Sequence, residues 1–93
     1  MNRHSMNIEK QIVDLYHELQ YEIKRAHKNI KGTHTIVQEY AKTLSADKRE
    51  MLDAIRDFRN HAAFDSKPPI LPDNYQEWIE LLKSEISKLK ESK

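Results

Sequence analysis

Residues 6–31, MNIEKQIVDLYHELQYEIKRAHKNIK, place Ile8, Ile12, Leu15, Leu19, Ile23, Ala26 and Ile30 at steps of four and three. That spacing returns a side chain to the same side of an α-helix at every turn, whereas a strand needs alternation by two. The stretch therefore reads as a bundle helix with one apolar seam, which Val13 and Tyr16 widen. At about 1.5 Å per residue it spans roughly 40 Å. Gly32 follows where a residue free to adopt the left-handed conformation closes a helix, and residues 1–5 are expected to fray.

Downstream, Ile36, Val37, Tyr40, Ala41 and Leu44 repeat at helical spacing, with Thr33 or Thr35 placed to cap a short helix over 34–44. Ser45 followed by Asp47 is an N-cap pattern with an acid in the first turn, so the chain either bends here or continues as one kinked helix. Over 46–64, Met51, Ile55, Phe58 and Ala62 form the next stripe, ending at Phe64. Pro68, Pro69 and Pro72 make 65–72 an extended connection, from which Ile70 and Leu71 are expected to tuck against the bundle. Asp73 with Gln76, or Asn74 with Glu77, signals the start of a last helix over 73–90. Its stripe is Tyr75, Ile79, Leu82, Ile86 and Leu89, with Trp78 at the margin. The fold expected is all-α: one domain, an antiparallel helical bundle of three long or four mixed helices. Its core is expected to hold Ile12, Leu19, Ile55, Phe58, Ile79 and Leu82.

The 93 residues are 33% charged and 38% hydrophobic, so a core forms only if the apolar side chains stay on narrow stripes. A chain this short buries only about 60–65% of its unfolded surface, which makes a homodimer the expected state. Sixteen basic and fifteen acidic side chains leave a formal charge of +1, and no global field draws the chain to nucleic acid or membrane. The lack of cysteine removes disulfides, thiolate metal sites and thiol nucleophiles. No apolar run reaches signal-peptide or membrane-span length, so a cytoplasmic protein without membrane contact is expected. The single glycine speaks against a phosphate-cradling loop. His4, His17, His27, His34 and His61 never fall at the i, i+4 spacing of helical metal ligands. No metal and no cofactor are expected.

Two stretches carry candidate chemistry. Lys24, Arg25, His27, Lys28, Lys31 and His34 cluster at the end of the first helix, where cations meet phosphates or complement the helix dipole. Lys24, Arg25, Lys28 and Lys31, together with Arg59, are the nucleic-acid-binding candidates; Tyr21 is the one aromatic nearby, so base stacking is not suggested. Residues 55–64, IRDFRNHAAF, crowd two arginines, an aspartate, an asparagine and a histidine onto one helical end. Asp57 and His61 are one turn apart, close enough for the carboxylate to orient the imidazole, and Arg56 is placed to pair with Asp53. Arg56 and His61 diverge by about 140° on an ideal helix. They converge on one phosphate only if the helix ends between them or a second chain supplies one of the pair.

The run Arg56-Asp57-Phe58-Arg59-Asn60-His61 resembles the R-x(4 to 6)-H signature of HEPN domains, over about ten residues. The family is all-helical and often dimeric, and its motif commonly lies late in the chain, ahead of a loop and a closing helix. Many members are metal-independent ribonucleases, frequently toxins or defence effectors; others have lost catalysis and serve as binding modules. The resemblance implies that Arg56 holds the scissile phosphate and His61 moves a proton at the 2′-hydroxyl, with Asp57 or Asn60 as polar helper. The function expected is a protein-interaction or regulatory module, possible HEPN-like kinship included, with a protein or RNA partner. The alternative is a metal-independent HEPN-type ribonuclease.

Overall fold

A computed structural model of the chain describes residues 3–27, 36–64 and 70–91. These residues form four helices, α1 (Arg3–Ala26), α2 (Ile36–Ala41), α3 (Ala46–Phe64) and α4 (Tyr75–Glu91), with no strand among them. The all-α bundle is thus of the four-helix, mixed-length kind. The expected cap and loop residues Gly32, Thr33, Thr35, Pro68 and Pro69, and the seam residue Ile30, lie outside the described residues.

Several helix boundaries differ from expectation. The first helix extends back to Arg3, since nothing between 3 and 6 breaks a helix, and it ends at Ala26 rather than near Lys31. Its last backbone bond runs from His27 N–H to the Ile23 carbonyl at 2.7 Å. There α2 folds back across the end of α1, bringing the Tyr40 ring to 5.8 Å from the His27 ring. The second helix stops at Ala41, not Leu44, and Thr43 hydroxyl donates to the Tyr40 carbonyl at 2.7 Å in the turn that follows.

The chain bends at Ser45. Its hydroxyl accepts from Lys48 N–H at 3.4 Å and its carbonyl from Arg49 N–H at 2.9 Å, so Ser45 caps α3 as its sequence position suggests. The Arg49 guanidinium reaches back to the Ala41 and Leu44 carbonyls at 3.5 and 3.4 Å, holding the turn closed. Lys48, early in α3, approaches Glu85, late in α4, while Phe58, late in α3, stacks edge-on against Trp78, early in α4. Those pairs make α3 and α4 antiparallel. Lys90 meets Glu18 at 3.0 Å and Arg25 reaches the Leu89 carbonyl, which brings the C-terminal parts of α1 and α4 together. The bundle measures 43 × 23 × 22 Å.

Ile12, Tyr16, Leu19 and Ile23 of α1, all four apolar residues of α2, Leu52, Ile55 and Phe58 of α3, and Trp78, Leu81, Leu82, Ile86 and Leu89 of α4 form one buried cluster. Ile79, expected inside, is only half-buried, and Trp78 takes its place as the α4 side chain against Phe58, with ring centroids 5.7 Å apart. In α3, Leu52 is buried, whereas Ala62 at the far end is exposed. α3 packs against α1 and α2 as well as α4, with Leu52, Ile55 and Phe58 on its inner face. Ile70, expected to tuck in, is 92% exposed; Leu71 alone packs on the core.

One charged side chain sits wholly inside. Glu85 is fully buried; one carboxylate oxygen accepts from the Tyr40 hydroxyl at 2.6 Å, and the other meets Lys88 Nζ at 3.1 Å and Lys48 Nζ at 3.5 Å. Burial raises its pKa, but the hydrogen bonds from Tyr40 and Lys88 and the charges of Lys88 and Lys48 outweigh burial and hold the carboxyl below its usual range. A carboxylate so partnered stays ionised in the core, and it ties α2, α3 and α4 at one point.

Candidate functional site

Because α3 is helical without interruption from Ala46 to Phe64, Arg56 and His61 sit on one continuous helix. They point to different sides of it, about 140° apart. Arg56 is half-buried on the side of α1, whereas His61 and Asp57, one turn apart, are both exposed. Within one chain the pair does not converge on a single phosphate.

What the fold brings together instead is a polar seam between α1 and α3. Tyr16 of α1 is buried, and burial pushes its phenol pKa up; Arg56 and Arg59 pull it down and Asp53 adds a smaller push upward. All three α3 side chains thus lie within electrostatic reach of one phenol. Beside it, Arg59 Nε donates to His17 Nε2 at 3.2 Å, and the same guanidinium donates to Asn60 Oδ1 at 3.3 Å. Arg59 is thus oriented by an imidazole and an amide oxygen, with no carboxylate among these partners. The pairing of Arg56 with Asp53 expected from their spacing is absent from the ion pairs of the described residues.

The basic cluster at the end of α1 is divided. Arg25 is occupied within the fold: Nε and a terminal nitrogen both meet Glu22 Oε1, at 2.9 and 2.8 Å, and the guanidinium reaches the Leu89 carbonyl at 3.4 Å, where the last carbonyls of α4 need donors. Lys24 is exposed, as is His27. Lys28, Lys31 and His34 lie outside the described residues.

Sequence reasoning missed Tyr16 and His17 as members of the seam. Tyr16 reads as a core residue from its position beside the stripe, and nothing in α1 alone announces which helix lies beside His17. Glu85 was legible in principle: it falls four residues before Leu89 and three after Leu82, a carboxylate inside an apolar stripe. Among the described residues no group of His, Asp or Glu is arranged to hold a metal ion, and no helix is long and apolar enough to cross a membrane. Comparison of the chain with protein-family models, with curated proteins and with solved structures gave no match.

Proposed function

We propose that this chain is a small, non-catalytic protein-interaction module whose recognition surface is the α1–α3 seam, and that it takes an acidic segment of a protein partner there. The observation that carries this is the state of the two arginines. Arg59 is oriented by His17 and Asn60 without a carboxylate, and Arg56 beside it has no ion pair among the described residues. A guanidinium not already paired with a carboxylate keeps its attraction for an incoming anion, and its planar fork suits a carboxylate bidentately. Tyr21, one turn after His17 on α1 and 65% exposed, offers apolar surface on the same helix.

The seam is narrow. Asp53 and Asp57 flank the arginines on α3, and Asp14 is exposed on α1. An extended nucleic-acid backbone draws its affinity from many phosphate contacts, and here it meets two cations and then carboxylates. A side-chain carboxylate on a protein needs only the two. At about 1.5–3 kcal/mol for each charge-assisted bond, the arginines supply orientation and part of the affinity, and apolar contact supplies the rest.

The discriminating experiment offers the purified chain a fluorescent glutamate-leucine peptide and a single-stranded RNA, both in EDTA. Saturable anisotropy with the peptide, lost in the Arg56→Ala/Arg59→Ala double variant, is the expected result. RNA cut to cyclic-phosphate ends, with cutting abolished by Arg56→Ala or His61→Ala, replaces this reading with the HEPN-type ribonuclease. That chemistry requires a dimer, since only a second chain brings an Arg56 and a His61 to one phosphate.

A further inference from the structure

On the opposite side of α3 from the arginines, the bundle opens. Asp47, Glu50, Met51 and Ala54 of α3, with Asn74 and Trp78 at the start of α4, line an open groove of about 330 Å³. That size lies at the lower end of the roughly 300–1,000 Å³ of small-ligand and side-chain pockets. From Asp47 to Ala54 it runs about 10 Å along the helix, two turns. Its floor is apolar and adaptable, with an indole, a thioether and an alanine methyl. Its rim is anionic: Asp47 and Glu50 are exposed, and neither belongs to an ion pair among the described residues. Other exposed acids, Asp53 and Asp57 among them, are likewise outside these ion pairs; what sets Asp47 and Glu50 apart is that they border an apolar floor.

We propose that this groove docks a cationic amphipathic segment of a protein partner, with an apolar side chain on the Met51, Ala54 and Trp78 floor and lysine or arginine against Asp47 and Glu50. Apolar anchors flanked by charges of one sign are the usual terms on which a helix is taken into a groove. The charge also argues against a second copy as the occupant. A two-fold pair through this face sets Asp47 and Glu50 near their own counterparts, and like charges brought together at an interface are costly. The groove is separate from the arginine seam, since Ala54 and Arg56 point about 160° apart around α3.

Trp78 is the chain's single tryptophan and lines the groove, so its emission reports on occupancy there as well as on its contact with Phe58. Full-length protein is titrated with a synthetic helical leucine-lysine peptide and with its leucine-glutamate counterpart. The expected result is a saturable change in Trp78 emission with the lysine peptide only, weakening as salt rises. The Asp47→Asn/Glu50→Gln double variant should bind at least tenfold more weakly, with unchanged circular dichroism, and Ala54→Arg, at the solvent-exposed part of the groove floor, should do the same. The Arg56→Ala/Arg59→Ala variant should bind the lysine peptide as the parent does, which separates this site from the seam. No saturable change, equal binding by the charge-neutralised variant, or the same response to the glutamate peptide overturns the proposal. A dimer in sedimentation that Ala54→Arg dissociates places a second copy in the groove and overturns it equally.

Discussion

The Tyr40 hydroxyl donates to Glu85 Oε1 across 2.6 Å, joining the six-residue α2 to the C-terminal half of α4 over 45 positions of sequence. A helix as short as α2 does not persist alone in water, so its place depends on the apolar burial of Ile36, Val37, Tyr40 and Ala41 and on this bond. Removing the hydroxyl leaves a buried carboxylate one donor short. Tyr40→Phe should therefore cost about 1–3 kcal/mol in urea unfolding, more than the loss of a surface hydrogen bond. An unchanged midpoint would show that Lys48 and Lys88 suffice to hold Glu85.

The same pair sets how stability responds to pH. The folded-state pKa of Glu85 lies below its unfolded value, so its contribution is full above the ordinary carboxyl range and is lost as pH falls through the folded pKa. Tyr40 behaves in the opposite sense: burial first, then its hydrogen bond to Glu85 and that carboxylate's charge, push the phenol well above 10.0. A raised phenol contributes fully below its unfolded pKa, and that contribution is lost as pH rises through the folded one. Urea midpoints should form a plateau between about pH 5 and 9 and fall on both sides. Glu85→Gln should flatten the acid limb. Tyr40→Phe should flatten part of the alkaline limb, leaving the share of Tyr16, whose phenol is also raised, chiefly by burial.

Phe58 is 5% exposed and meets Trp78 edge to face. Truncation to alanine removes that contact and leaves a cavity where α3 meets α4, at a cost of about 3–5 kcal/mol. In a chain this small such a loss approaches the whole stability, so Phe58→Leu should accompany it as the variant that stays folded. A melting temperature for Phe58→Ala within a degree or two of the parent would contradict the placement of the inner face of α3.

Arg56 and His61 should respond to substitution as a surface does. Replacing either by alanine should change unfolding free energy by no more than about 1 kcal/mol, because neither belongs to the apolar stripe. Arg56→Lys should lose acidic-peptide binding along with Arg56→Ala, since a lysine lacks the bidentate fork. If RNA is cut after all, mixing Arg56→Ala with His61→Ala protomers should restore partial cutting at composite sites, and no recovery would exclude a site shared between chains.

Association is the remaining test. A chain of 93 residues gains stability by burying more surface than one copy offers, and sedimentation equilibrium at tens of micromolar should show a dimer. A single species at 11.1 kDa would leave the module monomeric and remove the only geometry in which the ribonuclease reading works.

Local sequence determined the helices. Ile12, Leu19, Ile23, Ile55, Phe58, Leu82, Ile86 and Leu89 fall at helical spacing and are buried, and Ser45 marks the start of α3 with a cap that forms. Backbone periodicity and capping act within a turn or two, so the residues that decide them are neighbours in the chain. Which neighbour each helix meets is decided at longer range. A stripe constrains the inward direction to within part of a turn, and only packing chose Trp78 over Ile79, or took Arg25 away to the end of α4. For the same reason the partners of Glu85 were set only when the fold brought Tyr40, Lys48 and Lys88 around it. Arg59 looked like a free cation until α1 set His17 beside it. The tertiary structure decided these because burial and electrostatic partnership depend on side chains that are distant in sequence, whose positions no local pattern encodes.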